Sequence, residues 1–488
     1  MERKEFTVLP AIFQQLAAFN YNKAKDVAEK ERCFVISSGT APVQVWPSFL
    51  SCLAQLAAVE RLYMNLNLLT VKGFLRRENS VRASYECLLT ELSDLETRAA
   101  LPPAGGSTGT ESCAGVSGLL WSLCSELLSF IRARICLIKF YESCQRSTAS
   151  QGLLDYSDLA VSIADISSTY ADNFTQPLLT ALHANLKHEC DVLHCVLQGM
   201  CSIQQYSFLA ALLQLDAAHD ALHSWQKLIT GRESSKKYSF SSSFLKASSV
   251  PALYQWLWQV KAAATAKFSF YFYDSLAQHA SLSDIKILLA KQSVDYVAKL
   301  VSFYRRVEAT CVCLVLESSG IPDYRGSGYH LHQRTLSQPP SPTTNNLSTA
   351  AGGRIPPPPP PPPPRQQLSS GEVSVSRVRT FTRIFCYPLL TNQSQADANE
   401  SSVCWASAQQ FLVKSIDQLP QARDAVYQLY HPQTGYTHYL HSVEPLVTLV
   451  VSYDCHRTER ESLPVRDFLN DISQHLNLIK LFAALKPK

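Results

Sequence analysis

Charge is scarce in this chain: only 17% of its 488 residues are Asp, Glu, Lys or Arg, and the formal net charge is +4. Its Lys and Arg residues are scattered among acids rather than gathered in a stripe, which argues against nucleic acid as a partner. No polybasic run is present for direct adhesion to a membrane surface. Uninterrupted apolar runs are also lacking, since the longest apolar stretch, 118–141, is broken by Glu126, Arg132 and Arg134. The opening MERKEFTVLP carries charges but no apolar segment after them, so neither a signal peptide nor a membrane span is expected. The expected setting is then the cytosol, where the 15 cysteines stay reduced. Asn173-Phe174-Thr175 matches a glycosylation acceptor but carries no weight without a secretory route. Phosphate-cradling glycines are missing: those near 105, 326 and 352 have no Lys-Ser or Lys-Thr downstream and no strand-to-helix setting. A Gly-x-Ser-x-Gly elbow is missing as well. These gaps favour a binding protein over an enzyme.

What the chain has in quantity is apolar surface, 46% of its residues, enough to bury a large core in two or three domains. The stretch 267–276, KFSFYFYDSL, puts Phe268, Phe270, Tyr271, Phe272 and Tyr273 within six positions. Aromatics so spaced cover the whole circumference of a helix, which must therefore be enclosed by other helices. This segment is predicted to be the axis of a helical body.

From residue 8 to about 307 the apolar period is helical, as in Phe49, Leu53, Leu56, Val59, Tyr63 and Leu66, or Leu182, Leu186, Leu193 and Leu197. Helices are predicted near 8–34, 47–72, 79–99, 116–146, 155–171, 176–204, 206–231, 251–280 and 284–306, packed as an antiparallel bundle. Loops fall at the Leu101-Pro102-Pro103-Ala104-Gly105-Gly106 stretch and around Ser239 to Ser243. Beyond 308 the pattern changes. Thr310 to Leu316 (TCVCLVL) is a strand signal, and 321–377 is a polar Ser, Thr, Gly and Pro-rich insert with nine consecutive prolines at 356–364. Strands follow at 380–389, at 425–431 paired with 436–441 in a hairpin, and at 445–453, with helices at 402–419 and 465–484. The predicted class is α plus α+β: a helical domain, 1–308, followed by a small domain, 309–488, with a mostly antiparallel five-stranded sheet flanked by two helices. The Pro-rich insert interrupts the second domain.

The most enzyme-like string is His219-Asp220-Ala221-Leu222-His223, two histidines one helical turn apart with an acid between. In metalloproteases that acid is the longer glutamate and a third ligand follows. Both are absent from the spacing here, so helix-face histidines are the default reading and a zinc metallohydrolase the rival. His188, Cys190, His194 and Cys195 form a second cluster, but His188 and Cys195 share one helical face with Cys190 and His194 turned off it. A metal there needs donors from another helix. Cys311 and Cys313 point the same way on a strand, which buried strand residues explain. Most other cysteines, including Cys52, Cys87, Cys124, Cys136 and Cys201, sit in apolar helical runs and read as small buried hydrophobes.

Arg354 and Arg365 flank the proline run, which suits a polyproline ligand for profilin, WW or SH3 modules. A cytoskeletal or signalling adaptor acting through that rod is the alternative to a core-based function, and a low-complexity expansion is the plainer account of it. Gly326-Ser327-Gly328-Tyr329-His330-Leu331-His332 either lines a partner pocket or begins the polar loop. No catalytic, cofactor-binding or metal-ligating residue is assigned, and partner-contacting residues carry no sequence signature.

Several strings, in order, resemble landmarks of the KICSTOR subunit 2 family. They are Asn20-Tyr21-Asn22-Lys23-Ala24-Lys25-Asp26 with Glu29-Lys30-Glu31, KFSFYF at 267–272, Ser302-Phe303-Tyr304-Arg305-Arg306, Gly328-Tyr329-His330, and Phe482-Ala483-Ala484-Leu485-Lys486-Pro487. The resemblance covers nearly the whole chain except the insert at roughly 333–377, which departs from the family pattern. It implies a helical domain followed by a small α/β domain, and a non-catalytic subunit of the KICSTOR complex without cofactors. The implied partners are kaptin, the integrin-alpha FG-GAP repeat protein, the large seizure-threshold protein and the GATOR-type GTPase-activating complex. The implied place is the cytosolic face of the lysosome. There the complex restrains the target-of-rapamycin kinase when amino acids or glucose are scarce.

Overall fold

The computed structural model describes residues 5–39, 43–67, 80–100, 110–150, 153–171, 174–230, 250–321, 324, 326, 379–388, 395–415, 417–418 and 425–485. The helical body runs through α1 (Glu5–Ala17), α2 (Tyr21–Ser38), α3 (Trp46–Met64), α4 (Val81–Ala100), the long α5 (Thr110–Ala149) and α6 (Tyr156–Ile166). It continues through α7 (Thr180–Gln204), α8 (Phe208–Thr230), α9 (Ala252–Tyr271), α10 (Tyr273–His279), α11 (Leu282–Ala290) and α12 (Tyr296–Val307). Consecutive helices are spatial neighbours, as short connections require: α1 packs on α2, α2 on α3, α4 on α5, α6 on α7 and α7 on α8.

Three of the long predicted helices are divided. The first breaks at Phe19, which adopts a left-handed backbone (φ 61°) and lets the chain turn into α2. The aromatic helix bends at Phe272, where α9 ends and α10 begins. The last breaks between Lys291 and Asp295, and the Asp295 carboxylate accepts the Ala298 amide at 2.8 Å to start α12. Asp155 caps α6 in the same way, accepting from the Ser157 and Asp158 amides.

The sheet is formed by β1 (Cys311–Glu317), β2 (Phe381–Tyr387), β3 (Tyr427–Tyr430), β4 (Thr437–Glu444) and β5 (Val447–Tyr453), in spatial order β2-β1-β5-β4-β3 with every pairing antiparallel. Side chains alternate across it. Val312, Leu314, Leu316, Phe385, Leu449 and Val451 join the core of the helical body, together with α14 (Glu459–Leu476) and α15 (Ile479–Ala483). Cys313, Val315, Leu440 and Val450 face the opposite way and are covered by Ala408 and Leu412 of α13 (Gln395–Ser415). All seven residues of β5 are buried, as a strand covered on both faces requires. The class is thus the one predicted: a large helical region followed by a small antiparallel sheet between helices.

The aromatic segment is enclosed, but by the sheet as well as by other helices. Phe270, Tyr271 and Phe272 are at most 1% exposed, and α9 touches α3, α7, α8, α12, α14, α15 and β2. Phe270 and Tyr273 pack edge-on against Phe385 of β2 at 5.3 and 5.5 Å between ring centres. The proline run 356–364 and residues 327–332 of the Gly-Tyr-His string lie outside the described residues.

Candidate interaction surface and buried polar centres

The polar groups that matter most to this fold are sealed inside it. Arg134, from the middle of α5, is fully buried between two carboxylates. Its guanidinium donates twice to Glu60 of α3, at 3.0 and 3.2 Å, and once to Glu189 of α7. Each glutamate takes further donors: Tyr85 of α4 bonds Glu60, while Tyr63 (2.6 Å) and Tyr141 (2.8 Å) bond Glu189. The Tyr63 ring lies beneath the guanidinium, 4.3 Å from its carbon. Burial, then the adjacent carboxylates, pushes the hydroxyls of Tyr63, Tyr85 and Tyr141 well above the ordinary tyrosine range, so they remain donors. Burial works against the charge on Arg134, but Glu60 and Glu189 outweigh it. Four helices, α3, α4, α5 and α7, are pinned at this point.

A second centre joins the helices to the sheet. Lys267, the first residue of the KFSFYF string, is fully buried and paired with Glu444 at the end of β4. Tyr271 donates to the other Glu444 oxygen at 2.8 Å, and Gln204 of α7 donates at 3.0 Å. Burial holds the Lys267 amine below its usual range, and Glu444 opposes that shift. Around this pair, Tyr156 donates to the Asn477 carbonyl and Trp256 to the Leu481 carbonyl, both at 3.0 Å. A cleft of about 260 Å³ opens beside Glu444, lined by Asp155, Cys201, Gln204, Gly320 and Leu446 among others.

The sequence-derived candidates are placed as packing residues. His219 and His223 meet edge-on at 4.4 Å and both lie against Trp258, while Asp220 is exposed. Lys261 Nζ stands 3.5 Å from His219 Nδ1; burial and then this lysine lower the imidazole's basicity. His188 stacks on Trp225, His194 approaches the Ala160 carbonyl at 3.3 Å, Cys190 is buried, and the Cys195 thiol is raised to about 11 by burial. Among the described residues no group of three or more His, Cys, Asp or Glu is placed to hold a metal ion. Cys311 and Cys313, however, meet two thiols from elsewhere, Cys386 and Cys404.

Other functional positions had only a weak signal in sequence. Glu126, an apparent interruption of an apolar run, is turned inward and accepts the Thr175 and Gln176 amides at 2.8 and 2.9 Å, fixing the entry to α7. His438 is buried on β4, bridging Ser407 (2.9 Å) and Ser452 (2.8 Å), and burial lowers its pKa to about 4. On the outside, Leu209, Leu212 and Leu213 recur at three and four along α8 and are 41, 42 and 59% exposed. They form an apolar stripe that runs on into the exposed acids Asp216 and Asp220. No helix among the described residues is long and apolar enough to cross a membrane.

A family model described as KICSTOR complex C12orf66 like matches residues 2–344 and 403–488 of this chain. Among curated proteins, the chain is 29% identical over 488 residues to the KICSTOR subunit 2 of Danio rerio, covering 99% of this chain and 96% of the fish protein. It is 29% identical over 487 residues to the KICSTOR subunit 2 of Xenopus laevis, covering 99% and 97%. Both matched segments of the family model include a partner of the Lys267–Glu444 pair.

Proposed function

This chain belongs to the KICSTOR complex C12orf66-like family, and from that premise we propose that it is a non-catalytic scaffold subunit of a KICSTOR complex. In this reading it helps to bring a GATOR-type GTPase-activating complex to the lysosome and so restrains target-of-rapamycin signalling under amino-acid or glucose deprivation. Its partners there are kaptin, the integrin-alpha FG-GAP repeat protein and the large seizure-threshold subunit, and its hold on the membrane is peripheral, through them. The observation that carries the reading is the family match across both the helical region and the sheet. That match omits 345–402, which contains the proline run, and this supports a shared role that does not act through the rod.

Residues 1–308 and 309–488 then act as two domains locked into one block by the buried pair between Lys267 and Glu444. Preformed surfaces lose little entropy on binding, which suits a protein whose work is presentation. The leucine stripe of α8, an apolar line bordered by acids, is the surface assigned to a partner.

Affinity capture from starved cells tests this, comparing the parent chain, a Leu209→Glu/Leu213→Glu variant and a deletion of 356–364. Single surface changes usually shift stability by roughly 0.5 kcal/mol each, so the double variant should still fold, and its melting temperature checks this. The parent and the deletion should recover kaptin and its companions, and the leucine variant should lose at least one of them. A parent chain that recovers none of these proteins would refute the reading, whereas a leucine variant that recovers all of them would remove only the stripe.

A further inference from the structure

Four cysteines from three elements converge beneath α13. Cys311 and Cys313 project from β1 on the face that α13 covers, Cys386 from the edge strand β2, and Cys404 from α13 itself. Cys313 Sγ is 3.0 Å from Cys386 Sγ, and Cys311 Sγ is 3.9 Å from both Cys313 and Cys404. The first distance is closer than van der Waals contact between two sulfurs and longer than a covalent bond. Cys313 and Cys386 also face each other in the β1–β2 register. Such antiparallel partners have Cα atoms about 4.5 to 5.5 Å apart, inside the span a disulfide bridges.

We propose that Cys313 and Cys386 form a reversible dithiol–disulfide couple that responds to a hydroperoxide and, when oxidised, fastens edge strand β2 to its neighbour β1. Cys386 is half-buried at the sheet edge and is the thiol that meets the oxidant; Cys313, 2% exposed, resolves it. The Cys386 thiolate attacks the peroxide oxygen, breaking the O–O bond to give a sulfenic acid, and the departing alkoxide or hydroxide takes up the proton the thiol released. The Cys313 thiol then attacks the sulfenic sulfur, its proton leaves with the hydroxyl as water, and the S–S bond forms. In sum, two thiols lose two protons and two electrons, while the hydroperoxide takes them up and becomes an alcohol, or water, plus water. Reduction by a small thiol reverses it through a mixed disulfide.

A metal is the other occupant four thiols suggest. The short contacts, however, link the sulfurs in a row, Cys404 to Cys311 to Cys313 to Cys386, rather than around one centre.

The test uses the full-length chain, reduced and freed of small thiols, then titrated with hydrogen peroxide, quenched by alkylation under denaturing conditions and mapped by mass spectrometry. The expected result is a peptide pair joined through Cys313 and Cys386, lighter by two hydrogens, with both thiols lost to the alkylating reagent and regained after dithiothreitol. Cys386→Ser should abolish the joined pair while melting like the parent, and Cys455→Ser, at an exposed position, should leave it intact. The proposal is overturned if Cys313 and Cys386 stay alkylatable while the exposed Cys33, Cys87 and Cys455 oxidise. It is equally overturned if the purified chain holds stoichiometric zinc that must be chelated before these thiols react.

Discussion

Two buried charge centres solve the same problem in different parts of the molecule, and they differ in how much freedom they leave. The Glu60–Arg134–Glu189 centre lies wholly within the helical region, carries one more negative than positive charge, and is closed by three tyrosine hydroxyls. The Lys267–Glu444 centre spans the junction with the sheet, is neutral as a pair, and has a cleft beside its carboxylate. Arginine cannot shed its proton in a protein, whereas a buried lysine can. The first centre is therefore an all-or-none lock, and the second has a way to relax.

The largest expected effect tests the lock. Arg134→Met removes the cation between Glu60 and Glu189 and leaves two carboxylates buried together, a change that costs about 3 to 5 kcal/mol. Much of an ordinary domain's stability would be lost. Denaturant unfolding followed by circular dichroism should show a lower midpoint with an unchanged slope, or no folded baseline at all. A midpoint within error of the parent would mean that the two carboxylates reach water, and the contrast between the centres would fail.

The second centre should respond less, and with a pH signature. Glu444→Gln keeps an acceptor for Lys267 but removes the charge that opposes the burial-driven fall in the lysine's pKa. The loss should be about 2 to 3 kcal/mol at neutral pH. Lys267 in the folded variant then gives up its proton more readily than an unfolded lysine, whose pKa is near 10.5. Between those two values the unfolded state binds more protons, so stability must rise with pH. Melting temperatures of variant and parent should therefore converge from pH 7 to pH 10. Arg134→Met should show no such recovery over the same range.

How much of this was readable in the sequence depends on the range of the forces involved. Helical period, the short apolar and β-branched runs of the strands, and the burial of residues 267–273 are local patterns and appear in the structure as expected. The division of 8–34 was hidden because the left-handed turn is made by Phe19 rather than by a glycine, so the usual sign of a helix end is missing. Leu66, Tyr206, Glu308 and Leu478 turn the chain in the same left-handed way. The charge centres were hidden by distance: Arg134 is 74 residues from Glu60 and 55 from Glu189. A faint signal existed, because Glu60 and Arg134 sit on apolar helix faces, beside Leu56 and Tyr63, and between Ile131 and Ile138. A charge on a buried face requires a partner, but the spacing does not name which one. The thiol cluster was half visible, with Cys311 and Cys313 on one strand face but Cys386 and Cys404 supplied by elements beyond the insert.

The smallest expected effects compare the outer donors of the two centres. Tyr85→Phe removes a hydroxyl from Glu60 where the residues around it are sealed from solvent, so nothing replaces the lost bond, and the cost should be about 1.5 kcal/mol or more. Gln204→Ala removes a donor from Glu444 at the wall of a cleft of about 260 Å³, ample for water to take the vacated place. A water-mediated bond is nearly as good as a direct one, and the cost should stay below about 1 kcal/mol. Thermal unfolding of the two variants side by side measures the difference. If Gln204→Ala proves the more damaging, the cleft does not hydrate Glu444, and the junction is as tightly closed as the centre of the helical body.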